Sequence, residues 1–108
     1  PNNDQELRMY QYSRTVTIKN GASISPAVRT AVEVTAYLNK IYNLQMRVGT
    51  EMFGDLKIHW ICNVDSLDSL ALLNSKLAQN KAYWEIMDKI KPYVLEGSVQ
   101  DKAIALMG

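Results

Sequence analysis

The sequence predicts an α+β fold in which a four-stranded antiparallel sheet carries its helices on one face. Three observations predict it. Residues 45–64 (QMRVGTEMFGDLKIHWICNV) read as a β-hairpin, residues 6–19 (ELRMYQYSRTVTIK) read as a long strand, and helical apolar spacing flanks the hairpin on both sides. With 108 residues, the chain is expected to form one domain over 1–108, large enough for a real core.

Residues 1–5 are polar and read as a loose end. The strand at 6–19 is rich in β-branched and aromatic side chains. One face carries Arg8, Tyr10, Tyr12, Arg14, Val16 and Ile18, while the other turns polar after Met9. Asn20-Gly21 ends it. Ser25-Pro26 is expected to open a helix, with serine as N-cap and proline at the first helical position. That helix is expected to reach Tyr42 or Asn43, with Val28, Val32, Thr35, Leu38 and Tyr42 on one stripe beside Ala31 and Val34.

In the hairpin, Gly54-Asp55 suits a two-residue type II′ turn, because glycine accepts positive φ at no steric cost. Phe53 then opposes Leu56, Thr50 opposes His59, and Gly49 opposes Trp60, leaving room for the indole. This register puts Met46, Val48, Thr50, Met52, Lys57, His59, Ile61 and Asn63 on one face. Arg47, Gly49, Glu51, Phe53, Ile58, Trp60, Cys62 and Val64 share the other. A one-residue slip would change every pairing.

Asp65 or Ser66 is expected to cap the next helix, with Asp68 near its positive end. Leu67, Leu70, Leu73 and Leu77 give it helical spacing, and residues 78–80 interrupt it. A further helical piece over 81–91 ends at Pro92. Gly97-Ser98 is a turn, and residues 100–107 form the last strand. The order strand, helix, strand, strand, helix, strand gives the ferredoxin-like split βαβ arrangement. The sheet's other face is bare in a monomer. With Met46, Val48, Met52 and Ile61 on it, it predicts a homodimer packed sheet to sheet.

Composition narrows the function classes. Hydrophobic residues make up 47% and charged residues 21%, as in ordinary globular proteins. A net charge of +1 with no basic run gives no nucleic-acid footprint. No apolar stretch approaches membrane-spanning length and no signal-peptide pattern opens the chain, so a cytoplasmic protein is expected. The lone Cys62 excludes a disulfide framework and zinc spacing.

Three segments carry a family resemblance. Glu6-Leu7-Arg8-Met9-Tyr10 is similar to an opening Glu-Leu-Arg-x-Tyr. Val48-Gly49-Thr50-Glu51, a turn and His59-Trp60 resemble a central hairpin. Asn80 to Trp84 resembles a helical segment ending in tryptophan. In this order and spacing they resemble the dimeric α+β barrel superfamily, and within it the NIPSNAP-like proteins. The resemblance implies a barrel of two sheets with a cavity in each protomer. Relatives include small monooxygenases, haem-degrading enzymes, lactone isomerases, polyketide cyclase-like proteins and many without assigned activity, so the fold does not choose a chemistry.

His59 is the single histidine and the candidate for acid–base catalysis, since imidazole titrates near neutral pH. The alternative is a hydrogen-bonded interface or core histidine. Arg8, Tyr10, Tyr12 and Arg14, with Thr50 and Trp60, are candidates to bind a flat, anionic ligand. The alternative has the tyrosines packing under the helices and the arginines reaching the edge. Cys62 reads as an inert buried thiol. The haem-degrading relatives take a histidine from the second helix, and this chain has none there.

No metal or cofactor is expected, since no phosphate loop, dinucleotide fingerprint, nucleophile elbow or metal motif occurs. The leading expectation is a homodimeric barrel protein that binds a small organic molecule. The rival is a cofactor-independent monooxygenase or isomerase acting on an aromatic or polyketide-like substrate, with His59 as base.

Overall fold

The computed structural model describes residues 9–51 and 53–107. The elements follow as β1 (Met9–Thr17), α1 (Ile24–Tyr42), β2 (Arg47–Thr50), β3 (Lys57–Val64), α2 (Leu67–Ala78), α3 (Lys81–Ile90) and β4 (Gln100–Leu106). The strands form one sheet in the order β2-β3-β1-β4, every neighbour antiparallel. This is the expected βαββαβ order, with the second helical segment broken between α2 and α3. The start of the first strand, Arg8 as a ligand-binding candidate and Met52 lie outside the described residues.

Side-chain alternation sorts the sheet into two unlike faces. Tyr12 and Val16 of β1 and Ile58, Trp60, Cys62 and Val64 of β3 are buried beneath the helices, together with Ile18 just past β1. Small residues let α1 approach closely: Ala27 and Ala31 are fully buried, beside Val34 and Leu38. The expected stripe holds at Thr35 and Leu38, with Val28 and Tyr42 packed against the core, but Val32 is 52% exposed. Thr30 and Thr35, also buried on α1, return their hydroxyls to the carbonyls of Pro26 and Ala31.

The first helix opens differently from the expected Ser25 cap. A 3-10 turn over Gly21–Ser23, capped by the Asn20 side chain on the Ser23 N–H, runs directly into α1. Pro26 still falls in the first turn, where a missing N–H costs nothing. At the other end Asn43 takes the left-handed conformation with φ 52°, a common helix stop. Ser66 caps α2, with Asp68 in its first turn as expected, and Asn80 caps α3.

The hairpin register corrects the two-residue turn. The ladder ends where the Glu51 N–H meets the Lys57 carbonyl at 3.2 Å, so the connection is wider than Gly54-Asp55 alone. Gly54 does adopt positive φ, at 103°. Val48 now faces Trp60, Gly49 faces His59 and Thr50 faces Ile58. Relative to β3, every β2 side chain changes face. Met46 and Val48 join the core under the helices, and the open face of the sheet is not the apolar surface expected. Along that face, Met9, Ile61, Ile104 and Leu106 gather at one end. Thr15, Glu51, Lys57, His59, Gln100 and Lys102 occupy the other.

Strand β4 is an edge strand, and each of its seven residues is exposed. Among the described residues, no helix is long and apolar enough to cross a membrane.

Candidate functional site

Beneath α1 and α3 a cavity of about 30 Å³ is lined by Tyr12 and Arg14 of β1, Trp60 of β3, Val34 and Leu38 of α1, Met46, and Tyr83 and Met87 of α3. Local sequence fixes each wall. Alternation turns Tyr12, Arg14 and Trp60 to the helix side. Met46 is pinned by Asn39, whose amide donates to the Met46 carbonyl at 3.0 Å and accepts its N–H at 2.8 Å. Tyr83 is placed by Asn80, whose carbonyl oxygen accepts the Tyr83 N–H at 3.0 Å. Asn80 also bonds the Tyr37 and Tyr42 hydroxyls of α1 at 3.1 and 2.8 Å, locking the two helices together.

The polar groups of the cavity form a connected set. Arg14 holds Asp101 of β4 through two hydrogen bonds of 2.8 Å, and its Nη1 reaches the Tyr83 hydroxyl at 3.4 Å. The bond to Arg14 holds the Asp101 carboxyl below the usual carboxylate range. Burial pushes Tyr12 up to about 12, with Arg14 opposing and Asp101 reinforcing the shift, and burial also raises Tyr83. Both phenols therefore keep their protons at neutral pH. The Trp60 indole N–H is buried and has no hydrogen-bond partner among the described residues.

His59 stands on the opposite, open face. Its Nε2 lies 2.9 Å from Glu51 Oε1 and its Nδ1 lies 3.3 Å from Thr15 Oγ1. A carboxylate accepts hydrogen bonds, so the neutral ring carries its proton on Nε2 and turns a free Nδ1 toward the threonine hydroxyl. These groups line a polar groove with Ser13, Lys57, Gln100, Asp101 and Lys102.

The expected site residues thus divide. Tyr12, Arg14 and Trp60 meet in the cavity, and half-buried Tyr10 packs beside the core on the same side. Thr50, expected beside His59, faces Ile58 on the helix side instead, because of the shift in hairpin register. His59 meets none of the other candidates. Cys62 is buried, and its burial raises the thiol's pKa. Among the described residues, no group of three His, Cys, Asp or Glu side chains could hold a metal ion.

Sequence reasoning missed Asp101, Glu51 and Thr15 as partners and did not single out Tyr83. Asp101 opposes Arg14 across β1 and β4, so charge complementarity would have found it once that register was known. Asn80 to Tyr83 carried a cap signal, Asn three residues before an aromatic helix face.

No protein-family model and no curated protein matches the chain. Solved structures do. A NIPSNAP family protein of unknown function from Agrobacterium tumefaciens superposes with a TM-score of 0.76 at 20% identity, over 92% of this chain and 88% of that one. A dimeric ferredoxin-like protein from an uncultured marine organism gives a TM-score of 0.67 at 10% identity, over 98% and 94% of the two chains. A candidate antibiotic biosynthesis monooxygenase from Caulobacter crescentus gives 0.72 at 10% identity, over 93% and 91%. Identities this low establish fold and leave activity open. The chain shares the ferredoxin-like α+β fold of NIPSNAP family proteins.

Proposed function

We propose that this chain is a homodimeric, cytoplasmic NIPSNAP-like protein that pairs through the open sheet face and binds a small organic molecule in the cavity beneath α1 and α3. The observation that carries the binding role is the convergence of Tyr12, Arg14, Trp60 and Tyr83 on one apolar-walled cavity. Pairing is supported by the dimeric ferredoxin-like neighbours and by exposed Met9, Ile61, Ile104 and Leu106 at one end of the sheet. The unbranched Met46 and Met87 side chains are suited to move aside for a guest larger than the resting cavity.

Two measurements test the reading. Sedimentation at micromolar concentration is expected to give a dimer that Ile61→Lys dissociates, and a strictly monomeric wild type would end the dimer proposal. A ligand screen read on the Met46 and Met87 methyl resonances is expected to find small organic binders. Silence at both methyls across a diverse library would end the binding proposal.

A second reading, a cofactor-independent monooxygenase or isomerase with His59 as base, draws on the Glu51–His59–Thr15 chain and on the likeness to the Caulobacter protein. Against it, His59 lies across the sheet from Tyr12, Arg14 and Trp60, so within one protomer this base does not serve the cavity. Turnover of aromatic or polyketide-like substrates that His59→Gln abolishes would favour it.

A further inference from the structure

The cavity beneath the helices has an excess of donors, and that excess points to what it holds. Trp60 is 4% exposed, yet its indole N–H has no partner among the described residues. An orphaned buried donor costs on the order of 1–3 kcal/mol, so its retention calls for an explanation. Indole nitrogen donates only and cannot be satisfied by another donor. Apart from the two phenol oxygens the polar groups offer little that accepts: Arg14 has no acceptor, and Asp101, which takes two bonds from Arg14, also draws the Tyr12 hydroxyl. The Tyr83 hydroxyl oxygen faces Arg14 Nη1 at 3.4 Å, which leaves its proton available. The walls are otherwise Val34, Leu38 and the thioethers of Met46 and Met87, weak acceptors at best.

We propose that this cavity is a receptor for one carbonyl oxygen of a small neutral molecule, a ketone or an amide, bonded by the Trp60 N–H and the Tyr83 O–H. The inference rests on the binding role proposed above and names its ligand class. A carbonyl oxygen has two lone pairs and can accept from both groups at once. The resting cavity of about 30 Å³ admits the head of a small molecule, and Met46 and Met87 must move aside for more. Charge also selects the class. Asp101 already balances Arg14, so a carboxylate would bring an unpaired negative charge beside Asp101, whereas a neutral carbonyl would not.

The test uses the full chain with ¹⁵N-labelled tryptophan and labelled methionine methyls. Trp84→Phe, a change at an exposed position, leaves Trp60 as the single indole resonance. Ketones from acetone to acetophenone are titrated beside hydrocarbons of the same shape, such as α-methylstyrene for acetophenone, and beside benzoate. The expected result is a downfield shift of the Trp60 indole proton with ketones and no such shift with hydrocarbons. Tyr83→Phe is then expected to weaken ketone binding about five- to tenfold. Hydrocarbons that bind as tightly as ketones, or benzoate that binds in their place, would overturn the carbonyl assignment while the cavity's binding role survives. Ketones that move neither the Trp60 indole nor the Met46 and Met87 methyls would overturn the carbonyl assignment. If the hydrocarbons and benzoate were also silent at those methyls, the binding role would fall with it.

Discussion

Arg14 and Asp101 sit directly opposite each other on β1 and β4 and meet in a two-pronged ion pair, Nε to Oδ1 and Nη2 to Oδ2, each at 2.8 Å. The pair matters because β4 has little else. Every residue of that strand is exposed, so burial contributes little to holding it, and its attachment depends on the ladder to β1 and on this contact. The same pair neutralises the guanidinium that lines the cavity.

Asp101→Asn should therefore loosen β4 measurably but modestly. Both partners are partly exposed, so solvent screens the pair, and a bidentate surface pair is worth about 0.5–1 kcal/mol. The Asp101 carboxyl titrates below its ordinary value of 3.8, so the contribution is complete above that value. It is lost as pH falls through the lowered pKa of the folded state. Urea unfolding at pH 7 should show the deficit of the variant, and the gap should close in strong acid. A gap that stays constant with pH would contradict this account.

The orientation of α1 gives a cleaner packing contrast. Val34 is 1% exposed and Val32 is 52% exposed on the same helix. Val34→Ala should cost about 2 kcal/mol, from two lost methyl groups and the cavity left behind. Val32→Ala should fall within about 0.5 kcal/mol of wild type, since alanine is the better helix former and little packing is lost. Equal costs at the two positions would mean that the helix is turned differently.

What was legible in the sequence follows the strength of each local signal. Strict alternation in β3 gave the burial of Ile58, Trp60, Cys62 and Val64, and Ser66 with Asp68 marked the start of α2. The partition of β1 between Tyr12 and Val16 on one side and Gln11, Ser13 and Thr15 on the other came from the same period of two. The hairpin register was not legible. Its loop residues fit more than one turn length, and one residue's difference exchanges the faces of all of β2. The site inherited that error, because Thr50 and His59 were joined only by the assumed turn. The α1 stripe was legible except at Val32, where a valine was read as core although the closest helix–sheet contact is made by the smaller Ala27 and Ala31.

Gly49 offers a direct check on the register. A Cβ there would meet nothing within 4 Å, and its φ is not in the positive range. Gly49→Ala should be neutral or stabilising by up to about 0.5 kcal/mol, because glycine weakens a strand interior. Had Gly49 faced Trp60 under the helices, the added methyl would press on the indole and cost stability. Thermal unfolding of the variant distinguishes the two pairings.

The bonds around His59 predict a tautomer. With Nε2 at 2.9 Å from the Glu51 carboxylate, the neutral ring should be protonated at Nε2 and bare at Nδ1. Imidazole ¹⁵N shifts at alkaline pH should show one protonated and one unprotonated nitrogen in that assignment. Glu51→Ala should remove the preference and let the two tautomers exchange. A dominant Nδ1–H form in the wild type would instead make Thr15 the acceptor and leave a bare Nε2 against the Glu51 carboxylate, contradicting this pairing.

Asn80 should be the most costly polar residue to remove. Its side chain caps α3 through the Tyr83 N–H at 3.0 Å and binds the Tyr37 and Tyr42 hydroxyls of α1 at 3.1 and 2.8 Å. Asn80→Ala deletes all three bonds and strands two partly buried phenols. A cap alone is worth about 1 kcal/mol and each further bond about as much, so a total loss of about 2–3 kcal/mol is expected. Asn80→Asp keeps both acceptor bonds and favours the helix N-terminus, losing only the donation to Tyr42, so it should cost about half as much. Urea unfolding of the two variants measures both values. The effect should also reach the cavity, because Asn80 fixes the first turn of α3 and so the position of Tyr83. The Met87 methyl resonance, one helical turn further on, should broaden in Asn80→Ala and stay sharp in Asn80→Asp. An Asn80→Asp variant as stable as wild type, with Asn80→Ala losing only about 1 kcal/mol, would reduce Asn80 to a helix cap and break its link to the cavity.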